Sequence, residues 1–251
     1  MTVAYFDCFS GIAGDMILGA LLDLGIDLKT FKKELKKLPL IGYDITAKKL
    51  ESNHITATDV TITVTQHQHH RSLSDILDII DKSTLEPQIK KQSQTIFTNL
   101  GKAEAKIHDV ELEEVHFHEV GAVDSIIDII GSVIGVSLLG IDSIMCSPLP
   151  LGHGFVTCEH GILPLPAPAT VELLKGIPVY SIDRNQETVT PTGAAVITTL
   201  ALGFGEMPLM KITRIGYGSG KLPSAYPNLL RVYLGELEKK PRKNARNKRK
   251  K

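Results

Sequence analysis

Residues 115–135, V-H-F-H-E-V-G-A-V-D-S-I-I-D-I-I-G-S-V-I-G, restrict the fold more than any other stretch of this chain. The stretch divides at Gly121. Before it the residues alternate, so in an extended segment His116 and His118 project from one face. After it Gly121, Asp124, Ser125, Asp128, Gly131, Ser132 and Gly135 recur at helical spacing as one small, polar stripe. Ile126, Ile127, Ile130, Val133 and Ile134 form the apolar remainder. Two imidazoles therefore lead into a helix whose first turns carry two carboxylates four residues apart. Imidazole nitrogen and carboxylate oxygen are ligands for a borderline divalent cation. The alternative is a solvated helix face beside two ordinary histidines.

The N-terminus sets out a second feature. Residues 3–6 are β-rich and run into D-C-F-S-G-I-A-G-D-M, then an apolar-periodic helix to about residue 24. Strand, glycine turn and helix is the layout of an anion site, with N–H groups of Ser10, Gly11 and Gly14 facing the ligand. Asp7 and Asp15 could hold a metal beside a phosphate, or Asp15 could simply complement the helix dipole. Cys8 lies where a helix N-terminus would favour its thiolate, and is as readily a buried inert thiol. No G-x-x-x-x-G-K-[ST] occurs, so this is not a P-loop.

Further along, residues 31–38 read as an amphipathic helix ended by Pro39, and residues 43–50 and 55–65 as an alternating hairpin. His67, His69 and His70 follow in a polar tract of the kind that chelates nickel, copper or zinc. Ser72 or Ser74 would cap the next helix, and residues 88–108 form a longer polar one. Residues 143–149 read as a strand. The proline- and glycine-rich run after it would present His153, Cys158, Glu159 and His160, with His160 facing a site. Residues 167–175 are helical. Thr190 or Thr192 would cap a further helix opening at Gly193, a second candidate anion site that capping alone would also explain. Strands at residues 209–216 and 229–234 would flank a flexible turn in G-Y-G-S-G-K, leaving Arg214, Lys221 and Arg231 as the basic groups for phosphate.

The expected fold is α/β, a mixed sheet with flanking helices in one main domain over residues 1–237. The hairpin and His-rich loop, about residues 40–85, would be an insertion, and residues 238–251 a basic disordered tail. Residues 241–251 hold seven of the 28 lysines and arginines and no acid. The remainder thus sets 21 basic groups against 28 acidic ones. A mildly acidic body argues against a specific nucleic-acid surface. Three cysteines without a C-x-x-C read as thiols of a reducing cytoplasm. No export signal is visible, and the longest apolar run, residues 129–141, is too short and glycine-rich to span a membrane.

Five stretches occur in an order that resembles a known family. They are F-D-C-F-S-G-I-A-G-D-M, H-F-H-E-V-G-A-V-D-S-I-I-D-I, G-H-G-F-V-T-C-E-H-G-I-L-P-L-P-A-P-A-T, T-P-T-G-A-A and G-Y-G-S-G-K-(x)5-P-N-L-L-R. Over residues 3–236 the chain resembles the LarC family of nickel insertion proteins, which serve the nickel-pincer nucleotide cofactor of lactate racemase. The resemblance implies a cytoplasmic nickel chelatase. It would insert Ni(II) into pyridinium-3,5-bisthiocarboxylic acid mononucleotide, forming two sulfur–nickel bonds and one carbon–nickel bond. CTP would be split to CMP and pyrophosphate with Mg or Mn. On that reading His116, His118, Asp124 and Asp128 lie near the metal, with His67, His69, His70 and His160 as further metal donors. Asp7, Cys8, Ser10 and Asp15 would form the reacting centre, and Gly11, Gly14, Thr190, Thr192, Gly193 and Arg231 would bind the nucleotide. Family members usually continue into a C-terminal domain credited with CTP binding, so a companion C-terminal LarC chain is expected as a partner. An oligomer and contact with apo lactate racemase are further expectations. The rival expectation is a non-catalytic nickel storage or delivery protein built on the His-rich loop.

Overall fold

The computed structural model describes residues 1–66, 71–117 and 120–238. The chain opens with β1 (Thr2–Asp7), α1 (Gly14–Asp23) and α2 (Leu28–Leu35), then the hairpin β2 (Tyr43–Ser52) and β3 (Ile55–Val64). A short β4 (Arg71–Ser72), α3 (Leu73–Lys82), α4 (Pro87–His108), β5 (His116–Phe117) and α5 (Val123–Leu138) follow. Next come β6 (Ser143–Cys146), β7 (Leu149–Leu151), β8 (Phe155–Cys158), β9 (Gly161–Pro164), α6 (Pro168–Leu173) and β10 (Val179–Ser181). The chain closes with α7 (Pro191–Leu200), β11 (Ala201–Phe204), β12 (Met210–Ser219) and β13 (Leu229–Leu237).

Seven strands form one mixed sheet in the order β11-β6-β1-β13-β12-β3-β2. β11, β6 and β1 run parallel, and β13 lies antiparallel to both β1 and β12. The fold is the expected α/β arrangement. The β2–β3 hairpin joins this sheet through the single pair Gly218↔Thr58.

Alternation in β1 divides the sheet faces. Ala4 and Phe6 enter the apolar core beneath the helices. Tyr5 and Asp7 point the other way, Tyr5 beside Tyr233 of β13 and Asp7 opposite Arg231.

The stripe on α5 is the seat of α1. A methyl group built on Gly131 would lie 2.9 Å from Leu18, one on Gly135 2.8 Å from Leu21, and one on Gly14 2.4 Å from the Asp128 carboxylate. The pairs 14/128, 18/131 and 21/135 rise together, so α1 and α5 pack in parallel. The N-terminus of α1 therefore meets the second turn of α5 at the end of the sheet where β1 and β6 finish.

Strand β12 corrects one expectation. The G-Y-G-S run is not a flexible turn, because β12 continues through it to Ser219. Its glycines let the strand approach α1: a Cβ on Gly218 would sit 1.8 Å from the Met16 carbonyl oxygen. The residues at 143–149 likewise form two strands, β6 and β7, interrupted at Ser147, whose N–H bonds to the Phe6 carbonyl. Gly218→Ala should lower stability by about 2 kcal/mol or more, since backbone faces backbone and neither can yield. Urea unfolding checks this, and an unchanged midpoint would contradict the packing.

Candidate functional site

The turn at residues 8–13 carries the chain from β1 to α1 and is locked to the segment entering α7. The Gly11 N–H donates to the Cys8 carbonyl, the Ile12 N–H to Thr188, and the Thr190 N–H to Ile12. Gly11 holds φ +113, a conformation open to glycine, and any side chain there would strike the Thr188 carbonyl. Thr190 caps α7, its hydroxyl accepting from the Gly193 N–H at 3.1 Å and touching Thr192 Oγ1 at 3.1 Å. Two helix N-termini, those of α1 and α7, thus meet at this turn, and the second turn of α5 lies against Gly14. The amides of Gly11 and Gly193 are spent on the protein itself, which argues for architecture rather than phosphate capture at these two positions.

At the α1–α5 junction the structure brings together two sequence candidates, Asp15 and Asp128. Asp15 stands in the first turn of α1, its Oδ1 accepting from the Met16 N–H at 2.8 Å. Burial pushes its carboxyl up to about 6, with Lys221 opposing the shift and Asp59 adding to it. Asp128 lies across Gly14, and its Oδ1 is shielded from solvent without a hydrogen-bond partner among the described residues. Burial drives this carboxyl well above the ordinary range, and the charges of Asp15 and Asp124 add to that. The α1 N-terminus favours negative charge at Asp15, yet two neighbouring carboxylates cannot both ionise cheaply where they are desolvated. A proton or a cation between them would settle the charge. Asp124 is exposed one turn earlier, accepting from the Ser125 N–H at 2.9 Å.

Other candidates are dispersed. Asp7 accepts from Arg231 Nε at 3.0 Å and Nη2 at 2.5 Å on the sheet face away from the helices. Cys8 is fully buried, its sulfur 3.6 Å from that of Cys146, so it is a core thiol facing another thiol. Ser10 is buried and its hydroxyl accepts from Arg184. His116 is exposed in β5, paired with Ser72. His160 stands at the β8–β9 turn with its ring 5.0 Å from that of His108, in an apolar pocket shared with Glu104, Val120, Leu163 and Pro191. His67, His69, His70 and His118 lie outside the described residues. Among the described residues no three His, Cys, Asp or Glu side chains are grouped to hold a metal ion. Asp15 and Asp128 are two carboxyl groups whose charges bear on one another, with no third such side chain grouped beside them among the described residues.

Sequence reasoning passed over three residues of this neighbourhood. Asp59 sits on β3 and pairs with Lys221. His108 ends α4, and Arg184 approaches the turn from the segment after β10. None lies in a periodic or motif-like context. Only the D-x-x-x-D spacing and the helix-opening Asp15 carried a readable signal.

The carboxyl pair has a consequence for stability. A carboxyl at about 6 in the fold, against an ordinary 3.8, holds its proton longer when folded. Stability then falls as pH rises from about 4 to 6 and is level above that. Asp128→Asn removes the cost of protonating or desolvating that carboxyl, so at pH 7 the metal-free variant should be more stable than the parent by about 1–3 kcal/mol, with a flatter dependence between pH 5 and 7. Urea titrations at the two pH values decide it. A variant less stable than the parent at pH 7 would mean that Asp128 is satisfied in the fold.

Comparison with known proteins identifies the relatives of this chain. The model of the family described as nickel insertion protein matches residues 4–250. A Dictyoglomus thermophilum protein, provisionally named a nickel insertion protein, is 54% identical over 237 residues, 94% of this chain and 61% of that protein. The pyridinium-3,5-bisthiocarboxylic acid mononucleotide nickel insertion protein of Desulfitobacterium hafniense strain DCB-2 is 50% identical over 237 residues, 94% of this chain and 59% of its own length. The protein of the same name from Acetivibrio thermocellus is 49% identical, covering 96% of this chain and 62% of its own. The chain therefore spans about three fifths of the length of the relatives it matches. No solved structure gives a significant match. No helix among the described residues is long and apolar enough to cross a membrane. Family match and relatives agree: the chain belongs to the nickel insertion protein family.

Proposed function

We propose that this chain takes part in inserting Ni(II) into pyridinium-3,5-bisthiocarboxylic acid mononucleotide, with the Asp15–Asp128 pair receiving the metal. The observation that carries the assignment is the shielded, unpartnered Oδ1 of Asp128 beside Asp15 in a chain of this family. Nickel is the substrate here. Carboxylate oxygens hold it weakly beside sulfur, so a carboxylate pair can accept the ion and release it to thiocarboxylates. The same pair would also take Mg or Mn, so the donor set does not itself select nickel; the family does.

The product chemistry is consistent with such a place. Thiocarboxylates at ring positions 3 and 5 straddle C4, so a nickel ion held by both sulfurs faces the C4–H bond. Forming the carbon–nickel bond releases that proton, which a carboxylate with a raised pKa can accept. Asp124 in the first turn of α5, with His116 and His118 preceding that helix in the sequence, would deliver the ion from solvent. CTP turnover with Mg or Mn would belong to the part of the relatives that this sequence does not span. Apo lactate racemase would be the acceptor of the finished cofactor in the cytoplasm.

The test mixes protein, Ni(II), Mg or Mn, CTP and the dithio-mononucleotide anaerobically, with the C-terminal portion of a relative present, and reads the nickel adduct by mass spectrometry. Asp15→Asn and Asp128→Asn should each cut the initial rate at least tenfold while the fold stays intact. Undiminished adduct formation in both variants would remove the pair from the reaction.

A further inference from the structure

Arg184 is a half-buried cation without an acidic partner among the described residues. Its guanidinium donates through Nη1 to the Ser10 hydroxyl and, at 3.4 Å, to the Ser10 carbonyl. It makes no ion pair among the described residues, whereas Arg231, on the neighbouring sheet face, is neutralised by Asp7. A guanidinium drawn partly out of water without an acid is costly unless an anion completes it.

The fold also fixes where this charge sits. The Arg184 carbonyl accepts from the His153 N–H at 2.8 Å, and the Arg184 N–H donates to Ile182. The Gly152 N–H donates to the Thr188 hydroxyl at 2.9 Å, and a Cβ on Gly152 would collide with the Gln186 carbonyl at 2.2 Å. The proline- and glycine-rich run before β8 therefore serves to clamp the Arg184 segment against the turn at residues 8–13. Tyr226 lies against the guanidinium, the Arg184 carbon 5.0 Å from its ring centroid, and Tyr226 is 60% exposed. Tyr180 stands close enough for the Arg184 charge to bear on its hydroxyl and is 44% exposed. An unpaired planar fork beside two accessible aromatic rings suits a phosphate monoester that carries a flat ring.

We infer that Arg184, Ser10 and Tyr226 form a subsite for the phosphate of an aromatic mononucleotide. The inference rests on the nickel-insertion reading for the identity of the natural ligand, and it moves the phosphate away from the α1 N-terminus, where Asp15 and Asp128 would repel a dianion. The subsite uses Ser10 within the turn at residues 8–13, whereas Asp15 and Asp128 lie past that turn at the α1–α5 junction, so phosphate and metal meet different places.

Binding of nicotinamide mononucleotide, a pyridinium mononucleotide without sulfur, tests this in the absence of nickel. Calorimetric titration should show binding to the parent chain that weakens at least tenfold in Arg184→Gln and when nicotinamide riboside replaces the mononucleotide. Arg184→Lys, which keeps the charge but loses the fork, should fall between, and circular dichroism should show all three proteins equally folded. Equal affinity of parent and Arg184→Gln, or no binding by the parent, overturns the subsite. In the insertion assay Arg184→Gln should raise KM for the dithio-mononucleotide more than it lowers kcat. If no nickel adduct forms with any protein while the phosphate-dependent binding persists, the insertion reading fails and the subsite stands. An unchanged KM with active enzyme does the reverse.

Discussion

The parallel seating of α1 on α5 is the contact on which the functional end of the molecule depends. Gly131 and Gly135 admit Leu18 and Leu21 at distances that a side chain on either glycine would forbid. That interlock fixes the axial register of two helices, and the register in turn lays Asp128 over Gly14. Had the helices slipped by a turn, Asp128 would face solvent and keep an ordinary carboxyl. The fold thus spends helix packing on holding two carboxylates together. Two buried like charges are retained only where something compensates them.

Charge around the turn at residues 8–13 is divided by sign. On the helix side lie Asp15 and Asp128, with the Asp59–Lys221 pair behind them. On the other side lie Arg231, neutralised by Asp7, and Arg184, held by Ser10 and without an acidic partner among the described residues. A substrate with a phosphate at one end and sulfur donors at the other needs such a layout. The anion is held by guanidinium, and the metal arrives at oxygen ligands weak enough to surrender it to sulfur. Burial of both Cys8 and Cys146 fits this scheme, because a thiolate near the metal would compete with the substrate's own sulfurs.

Much of the frame was legible from residue order, and the reasons are local. The D-S-I-I-D-I-I-G-S-V-I-G period predicts a helix with a small face, and that face receives α1. The strand, turn and helix at residues 3–24 follow from a β-rich run, a glycine turn and apolar periodicity, and Thr190 announces its cap by type and place. The run G-Y-G-S misled, since glycines in a turn and glycines beneath a helix look alike in one dimension. Pairing of residues 15 and 128, more than a hundred positions apart, depends on tertiary register and leaves no local trace. Arg184 is similarly silent: it stands alone in a polar loop, and only the closure of residues 152–154 on residues 184–186 shows what it is for.

Soaking nickel into crystals of the chain and locating it by anomalous scattering at the nickel edge tests the central claim most directly. The account predicts a peak between the carboxylates of Asp15 and Asp128 that disappears in Asp128→Asn. Nickel bound elsewhere, for example between His108 and His160, with none at the α1–α5 junction, would contradict it.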